Sequence, residues 1–445
     1  VLDLSFVAEV VAECYAEGRG RPSVDPELAL RMMLLGVLYD LSDRELCDEV
    51  GMHAGMRWFC RLNFHDPVPD HSTLSRLRNE RWGESGLFDR LMDEVIRQCS
   101  EAGLVSGRHL SVDGTEIRAD ASMKSLKRRG PEGDDRPPDP LTGGPGGGEP
   151  KPKGDWEGRG ETYRNRTHLS TTDPDARLYR KDHSQGAALK YLAHDLLDTK
   201  SRVILRRKVT RATGRAEPQA GLKMLDEVLE KKDELGLVRR PEVLTGDTAY
   251  GSSAFVTEML DRGLQPHIPL MAAGEAEEIP TWQRQTFDLD RMRARQRKVK
   301  EARARNRVRE LMQSQGYAVS RKLRIRSEHV FAEGKTLHGL GRARRRGLHR
   351  VQDQATLTAV VQNLKRLVAY MGRKDRDAAA QAASTAVQRS IRSVRGHIGA
   401  IVGFIVAPWA RQLPRWLPRV GRTGHGQGPP SLAMGPGTLG SSTAF

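Results

Sequence analysis

After Gly107 the chain stops reading as helix and becomes a series of short apolar runs, two of which end at an aspartate beside a glycine. Residues 109–112 (His-Leu-Ser-Val) predict a strand that ends in Asp113-Gly114. Residues 189–193 and 203–205 predict two more, separated by the turn-like Asp198-Thr199-Lys200-Ser201. A helix follows from Glu217-Pro218 through Leu222, Leu225, Val228 and Leu229. A buried strand over residues 243–245 then ends at Gly246-Asp247. Three strands, a helix and another strand suit an α/β mixed sheet with helices packed on its faces.

The preceding hundred residues read as helices. Asp25 is an N-cap with Pro26 at the first helical position, and an apolar run continues from Leu28 to Leu38. Ser42 and Glu45 have capping-box spacing, so a second short helix starts there and stops near Gly51. A third covers residues 53–60, giving a helix-turn-helix-sized pair around Gly51. Pro67 and Pro69 break the chain, and Ser72 or Asp70 caps a basic helix carrying Arg76, Arg78 and Arg81. A last helix over residues 85–101 has Leu87, Leu91, Val95 and Ile96 on one face. This all-α domain, residues 1–106, reads either as a DNA-docking domain or as a bundle that supports its neighbour. Cys14, Cys47, Cys60 and Cys99 all fall in it without CxxC spacing, and are expected as small apolar core residues.

With 73 Lys+Arg against 57 Asp+Glu, the 445-residue chain carries a formal net charge of +16, which points to a polyanionic partner. Residues 291–310 form a dense Arg/Lys segment without Pro or Gly, expected as a basic helix that contacts phosphates. Residues 128–160 are Gly- and Pro-rich, and are expected as a disordered insertion inside a second domain, residues 107–370. The tail, residues 371–445, is expected to be helical at first and disordered from Pro414 onward. No apolar stretch reaches the ~20 residues of a membrane span. Residues 1–10 carry Asp3 and Glu9 and no basic start, so no secretory leader is expected. The expected setting is cytoplasmic, without a membrane.

Three acids stand out by position: Asp113 and Asp247 at strand ends, where a crevice for ligands usually forms, and Glu328 on a helix with Arg324 one turn before and Lys335 two turns after. Each also has a plain reading, as a hairpin turn, an N-cap and a surface helix residue respectively. Two strand-end aspartates and a helical glutamate are what two-metal phosphoryl chemistry requires. Hard carboxylate oxygens suit Mg2+, and two ions ~4 Å apart stabilise the attacking and leaving oxygens of an in-line displacement.

Ser-Val-Asp113-Gly-Thr, Thr-Gly-Asp247-Thr-Ala-Tyr-Gly-Ser and the Arg324, Glu328, Lys335 spacing resemble the DDE transposases of bacterial insertion sequences. That family's signature around the third acid is Tyr, two residues, Arg, three residues, Glu, six residues, Lys. Arg321 stands at the Tyr position. Arg57-Trp58-Phe59-Cys60, Val68-Pro69-Asp70-His71-Ser72 and Gln362-Asn363-Leu364 are similar to other parts of the same transposases, so the resemblance runs from about Arg21 to Leu367.

The resemblance implies a ribonuclease H-like fold in which Asp113 bridges two Mg2+ ions, with Mn2+ as a substitute, while Asp247 and Glu328 each hold one. It implies hydrolysis at the transposon ends, then attack of the freed 3′-hydroxyl on target DNA. The double-stranded DNA partners would be terminal inverted repeats and target, bound by Arg76, Arg78, Arg321, Arg324 and Lys335. A homodimer would form in the synaptic complex, on the bacterial nucleoid. Two other readings stay open here: a nuclease of the same fold, and a non-catalytic or decayed DNA-binding derivative. The latter is suggested by the Val start and by a tail that departs from the family pattern.

Overall fold

A computed structural model describes residues 3–15, 23–83, 85–128, 163–181, 186–213, 216–271 and 288–410. The expected insertion beyond Arg128 and the tail from Pro414 lie outside the described residues. The chain divides into two compact units, Val1–Lys374 and Asp375–Phe445.

The first unit begins with α1 (Val7–Val10), α2 (Pro26–Leu38), α3 (Asp43–Met52), α4 (Ala54–Phe59), α5 (His71–Arg76) and α6 (Leu87–Glu101). Local chemistry sets their starts. The Asp25 carboxylate accepts from the Glu27 amide, and Ser42 and Glu45 close a reciprocal capping box. The His53 ring caps α4, and Asp70, rather than Ser72, caps α5. Cys60 and Cys99 are buried and all four cysteines are free, in keeping with a packing role. The helices do not close a core of their own. Leu30 and Leu91 belong to the same apolar cluster as Leu110, Val112 and Leu196 of the sheet. Residues 1–106 and the sheet are therefore parts of one unit.

The sheet comprises β1 (His109–Arg118), β4 (Arg177–Tyr179), β5 (Ala188–Asp198), β6 (Ile204–Arg211), β7 (Val243–Thr245) and β8 (Gln265–His267); β2 (Leu126–Arg128) and β3 (His168–Ser170) pair separately. Its order is β6-β5-β1-β7-β8, with β4 also on β5. β6, β5 and β1 run antiparallel, whereas β1, β7 and β8 are parallel. This is a ribonuclease H-like arrangement. The helices among and after the strands are α7 (Ala216–Glu230), α8 (Ser253–Asp261), α9 (Leu289–Met312), α10 (Gln315–Leu323), α11 (Ile325–Leu337) and α12 (Leu348–Ala410). A Cβ on Gly221 of α7 would lie 3.3 Å from Val112, while Ser327 of α11 bonds Asp113. Successive strand side chains point to opposite faces, so α7 and α11 cover the two sides of the sheet. Among the described residues no helix is long and apolar enough to cross a membrane.

One expectation fails. β1 does not end at Asp113 but runs on to Arg118, paired with β5 from Leu110↔Asp198 to Arg118↔Lys190. Gly114 is no hairpin residue. It sits opposite His194, whose Nδ1 would be only 3.2 Å from a Cβ at position 114, so glycine makes room for the imidazole. β7 pairs with β1 only over His109, Leu110 and Ser111. From Val112 to Ile117 that edge of β1 has no strand partner among the described residues, and the sheet opens there.

Candidate active site

Asp113 stands at this opening, near the middle of β1. Its Oδ2 accepts from the Ser327 hydroxyl at 2.8 Å, and its Oδ1 accepts from the Gly114 amide at 2.8 Å. Burial pushes the Asp113 carboxyl above the ordinary aspartate range; those two hydrogen bonds oppose the rise, and the nearby Asp247 charge adds to it. Asp247 follows β7 by two residues. Its Oδ1 accepts from the Ala249 amide at 3.0 Å and caps the short turn Thr248–Tyr250, so the N-cap reading of this residue also holds.

The two aspartates thus share one neighbourhood although 134 positions separate them (247 − 113). Their hydrogen-bond partners are neutral, and among the described residues no salt bridge reaches either one. Neighbouring carboxylates that no salt bridge neutralises suit a hard divalent ion. Among the described residues, however, no three His, Cys, Asp or Glu side chains stand close enough to form a ready cluster.

Glu328 is the expected acid that the structure does not bring into the pair. It lies in the first turn of α11, but it is exposed, and the residue that meets Asp113 is its buried neighbour Ser327. Ser327 Oγ also lies 2.7 Å from the Arg324 carbonyl at the start of the helix, which competes with Asp113 for its one proton. Arg324 is partly buried there, and its charge acts on Asp113. Lys335 is partly buried in the last turn of α11. Burial lowers its ammonium pKa, Glu116 opposes that shift, and Lys181 and Lys190 add to it. Arg321 and Arg76 are exposed. Arg78 is mostly buried, and its guanidinium bonds Asp43 at 2.5 Å, which ties α3 to the turn after α5.

Competing acids are accounted for. Glu333 takes Lys365 at 2.6 Å and Arg366 at 2.8 Å, fastening α11 to α12. Glu116 takes Lys190 at 2.7 Å. Asp195, directly opposite Asp113 on β5, is held by Arg207 through two 2.6 Å hydrogen bonds. Sequence reasoning missed Ser327 and also Glu217 of α7, whose carboxyl pKa is raised by burial and then by Asp247 and Asp113. Neither has a local signal, since Ser327 and Glu217 lie 214 and 104 positions from Asp113, and Asp247 is 30 positions from Glu217.

A buried polar knot fixes α10, the helix leading into α11. The Ser320 hydroxyl donates to the Gly316 carbonyl at 3.0 Å, and meets His109 Nε2 at 2.7 Å and His267 Nδ1 at 2.6 Å. A hydroxyl has one proton, so Ser320 donates in one of these three contacts, and the imidazole tautomers set the direction of the other two. Helix α9 packs through Ala302, Ala304, Val308 and Leu311, leaving Arg297, Lys298 and Arg303 exposed.

Comparison with known proteins adds two family matches. Residues 1–80 match the family described as "Transposase domain (DUF772)", and residues 150–364 match "Transposase DDE domain". Among solved structures, the "Mos1 transposase paired-end complex with left transposon end" is 13% identical, with 57% of this chain and 61% of that one covered, at a TM-score of 0.17. The "pre-cleavage Mos1 transpososome" is 12% identical, with 80% and 82% covered, at 0.18. The chain spans about three fifths of the length of the paired-end and strand-transfer structures it matches. At those TM-scores the superpositions carry no argument, and the family matches stand on their own.

Proposed function

We propose, for a chain that belongs to the DDE transposase family, that it cuts DNA at the ends of a mobile element and joins them to a target. What supports this reading is Asp113 at the open edge of β1, with the first turn of α11 against it and the Asp247 charge acting on it. Asp113, Asp247 and Glu328 would hold divalent ions, Mg2+ or Mn2+. When bound, such ions activate water and neutralise charge developing on the phosphoryl oxygens.

The protein's own groups supply position and charge. Ser327 orients the Asp113 carboxylate, and the Asp247 turn fixes the second carboxylate beside it. Arg324 and Lys335 flank the acids on α11 and would hold backbone phosphates on either side of the scissile bond. Burial of Lys335 among Lys181 and Lys190 leaves cationic charge that a phosphate relieves. Arg321, Arg76 and the exposed cations of α9 would add sequence-independent affinity for double-stranded DNA, including inverted repeats and target. Two ends brought together imply a homodimer during reaction.

The test is cleavage and joining of an end-containing duplex by the full chain. Asp113→Asn, Asp247→Asn and Glu328→Gln are expected to lose cleavage by at least ~1,000-fold while DNA binding persists. Cleavage at the wild-type rate by any of the three removes that residue from the site. Pre-cleaved ends that are never joined would make the protein a nuclease instead.

A further inference from the structure

The charge of the chain is unevenly divided. Residues 1–106 hold 11 Arg and no Lys against 19 Asp and Glu, a net of −8 (11 − 19). Residues 107–370 hold 52 Lys and Arg against 36 Asp and Glu, a net of +16 (52 − 36). On α3 the acidity has a direction. Glu45, Asp48, Glu49 and Met52 fall at i, i+3, i+4 and i+7 and form one exposed face, while Leu46 and Val50 fill the buried one. Among the described residues no salt bridge reaches Glu45, Asp48 or Glu49, and Arg44 is the one cation of that helix.

The acidic stripe ends at large apolar side chains turned to solvent. Met52 is 79% exposed, Trp58 80% and Phe64 80%. Their backbone is firmly held. The Arg57 guanidinium is buried and donates to the carbonyls of Gly51 at 3.4 Å, Asp66 at 2.7 Å and Asn63. Met52, Trp58 and Phe64 each come one residue after a member of that staple, namely Gly51, Arg57 and Asn63. The inward side of α4 is filled by Met56 and Cys60, and the Phe59 ring lies 5.3 Å from the Arg31 guanidinium carbon. Exposed Trp, Phe and Met on a rigid frame, rimmed by charge, have the composition of an interface centre.

DNA does not suit this face. Aromatic rings that stack on bases stand in a cationic groove, whereas the charge beside these is negative. Arg61, the nearest arginine to Phe64 in the chain, is taken by Glu27 at 3.0 Å. A cationic protein surface complements the face, and residues 107–370 of a second copy carry that sign of charge in excess. An identical face would set acid against acid, so the contact joins unlike surfaces.

We infer that the α3–α4 face, with Trp58 and Phe64 at its centre and Asp48 and Glu49 on its rim, docks on the cationic residues 107–370 of a second copy of this chain. The inference rests on the homodimer reading above and gives that dimer a surface. In a two-fold pair the contact forms twice, since each copy offers both surfaces. Its charged rim makes it sensitive to salt.

The test is sedimentation of the full chain, alone and with an end-containing duplex, at low and high salt. One double variant, Trp58→Ala with Phe64→Ala, removes the centre; another, Asp48→Lys with Glu49→Lys, reverses the rim and spares the capping box at Glu45. Each is expected to weaken self-association by about tenfold or more, while duplex binding stays within about twofold of wild type. Melting temperatures, read at a concentration where the wild type is monomeric, are expected to be unchanged. Self-association within about twofold of wild type in either double variant, with the wild type dimeric, overturns the inference and leaves the homodimer reading intact. Loss of duplex binding by Trp58→Ala with Phe64→Ala, at unchanged self-association, makes the face a DNA contact and overturns it too. A melting temperature lowered in both double variants makes these residues part of the fold, with the same consequence. A wild type that stays monomeric with and without the duplex removes the homodimer reading, and the inference with it.

Discussion

Replacing Asp195 by Asn tests how the strand opposite Asp113 is held. Arg207 and Asp195 are both 0% exposed and share two 2.6 Å hydrogen bonds. The same guanidinium also reaches Gln362 at 3.2 Å and the Ala355 carbonyl at 3.4 Å on α12. Asparagine keeps the shape but removes the charge, and a guanidinium cannot shed its proton to escape. A buried cation left without its partner costs about 3–5 kcal/mol, out of a total of roughly 5–15 kcal/mol for a typical fold. Urea unfolding followed by circular dichroism should show that loss. Combining Asp195→Leu with Arg207→Met removes both charges and should recover most of it, because a buried pair adds little net stability over apolar packing. A loss below ~1 kcal/mol in Asp195→Asn, or a double variant as unstable as the single one, refutes the reasoning.

Two further outcomes are expected. Because the folded-state pKa of Asp113 is raised, its contribution to stability is fully present below the unfolded pKa and is lost as pH rises through the folded value. Asp113→Asn should therefore melt higher than wild type near neutral pH without metal, with the advantage shrinking as pH falls through the carboxylate range; a lower melting temperature at neutral pH contradicts this. On α9, alanine at Arg297, Lys298 and Arg303 should make log affinity for duplex DNA fall less steeply with log salt, by about 0.9 in slope for each phosphate that is no longer neutralised, read by fluorescence anisotropy. An unchanged slope shows that this face of α9 does not touch the DNA.

Much of the fold was legible where local chemistry decides it. Asp25, Ser42 and Asp70 cap helices because their oxygens meet amides two or three residues on, a relation visible in the sequence. Strand β7 and helix α7 follow from short-range apolar pattern in the same way. What was hidden is set by distant partners. Asp113-Gly114 carries the signature of a turn, and only its pairing with Asp195 and His194 keeps it extended. Arg78 looks like a solvent-facing cation until Asp43, from another helix, claims it. The acids themselves were visible as candidates, and the charge of Asp247 acts on Asp113. On α11 the sequence supplies both Ser327 and Glu328, but the rotation of that helix against β1 decides which of them touches Asp113, and no spacing encodes that rotation.

The passage of β1 through the site sets the phase of everything around it. Side chains along a strand alternate with a period of two, so a slip of one residue against β5 would carry Asp113 to the α7 side and turn Val112 toward Ser327. Within residues 110–118, a single inserted or deleted residue is consequently a heavier lesion than most substitutions. It would reverse the polarity of both walls at once, with the composition of the strand almost unchanged.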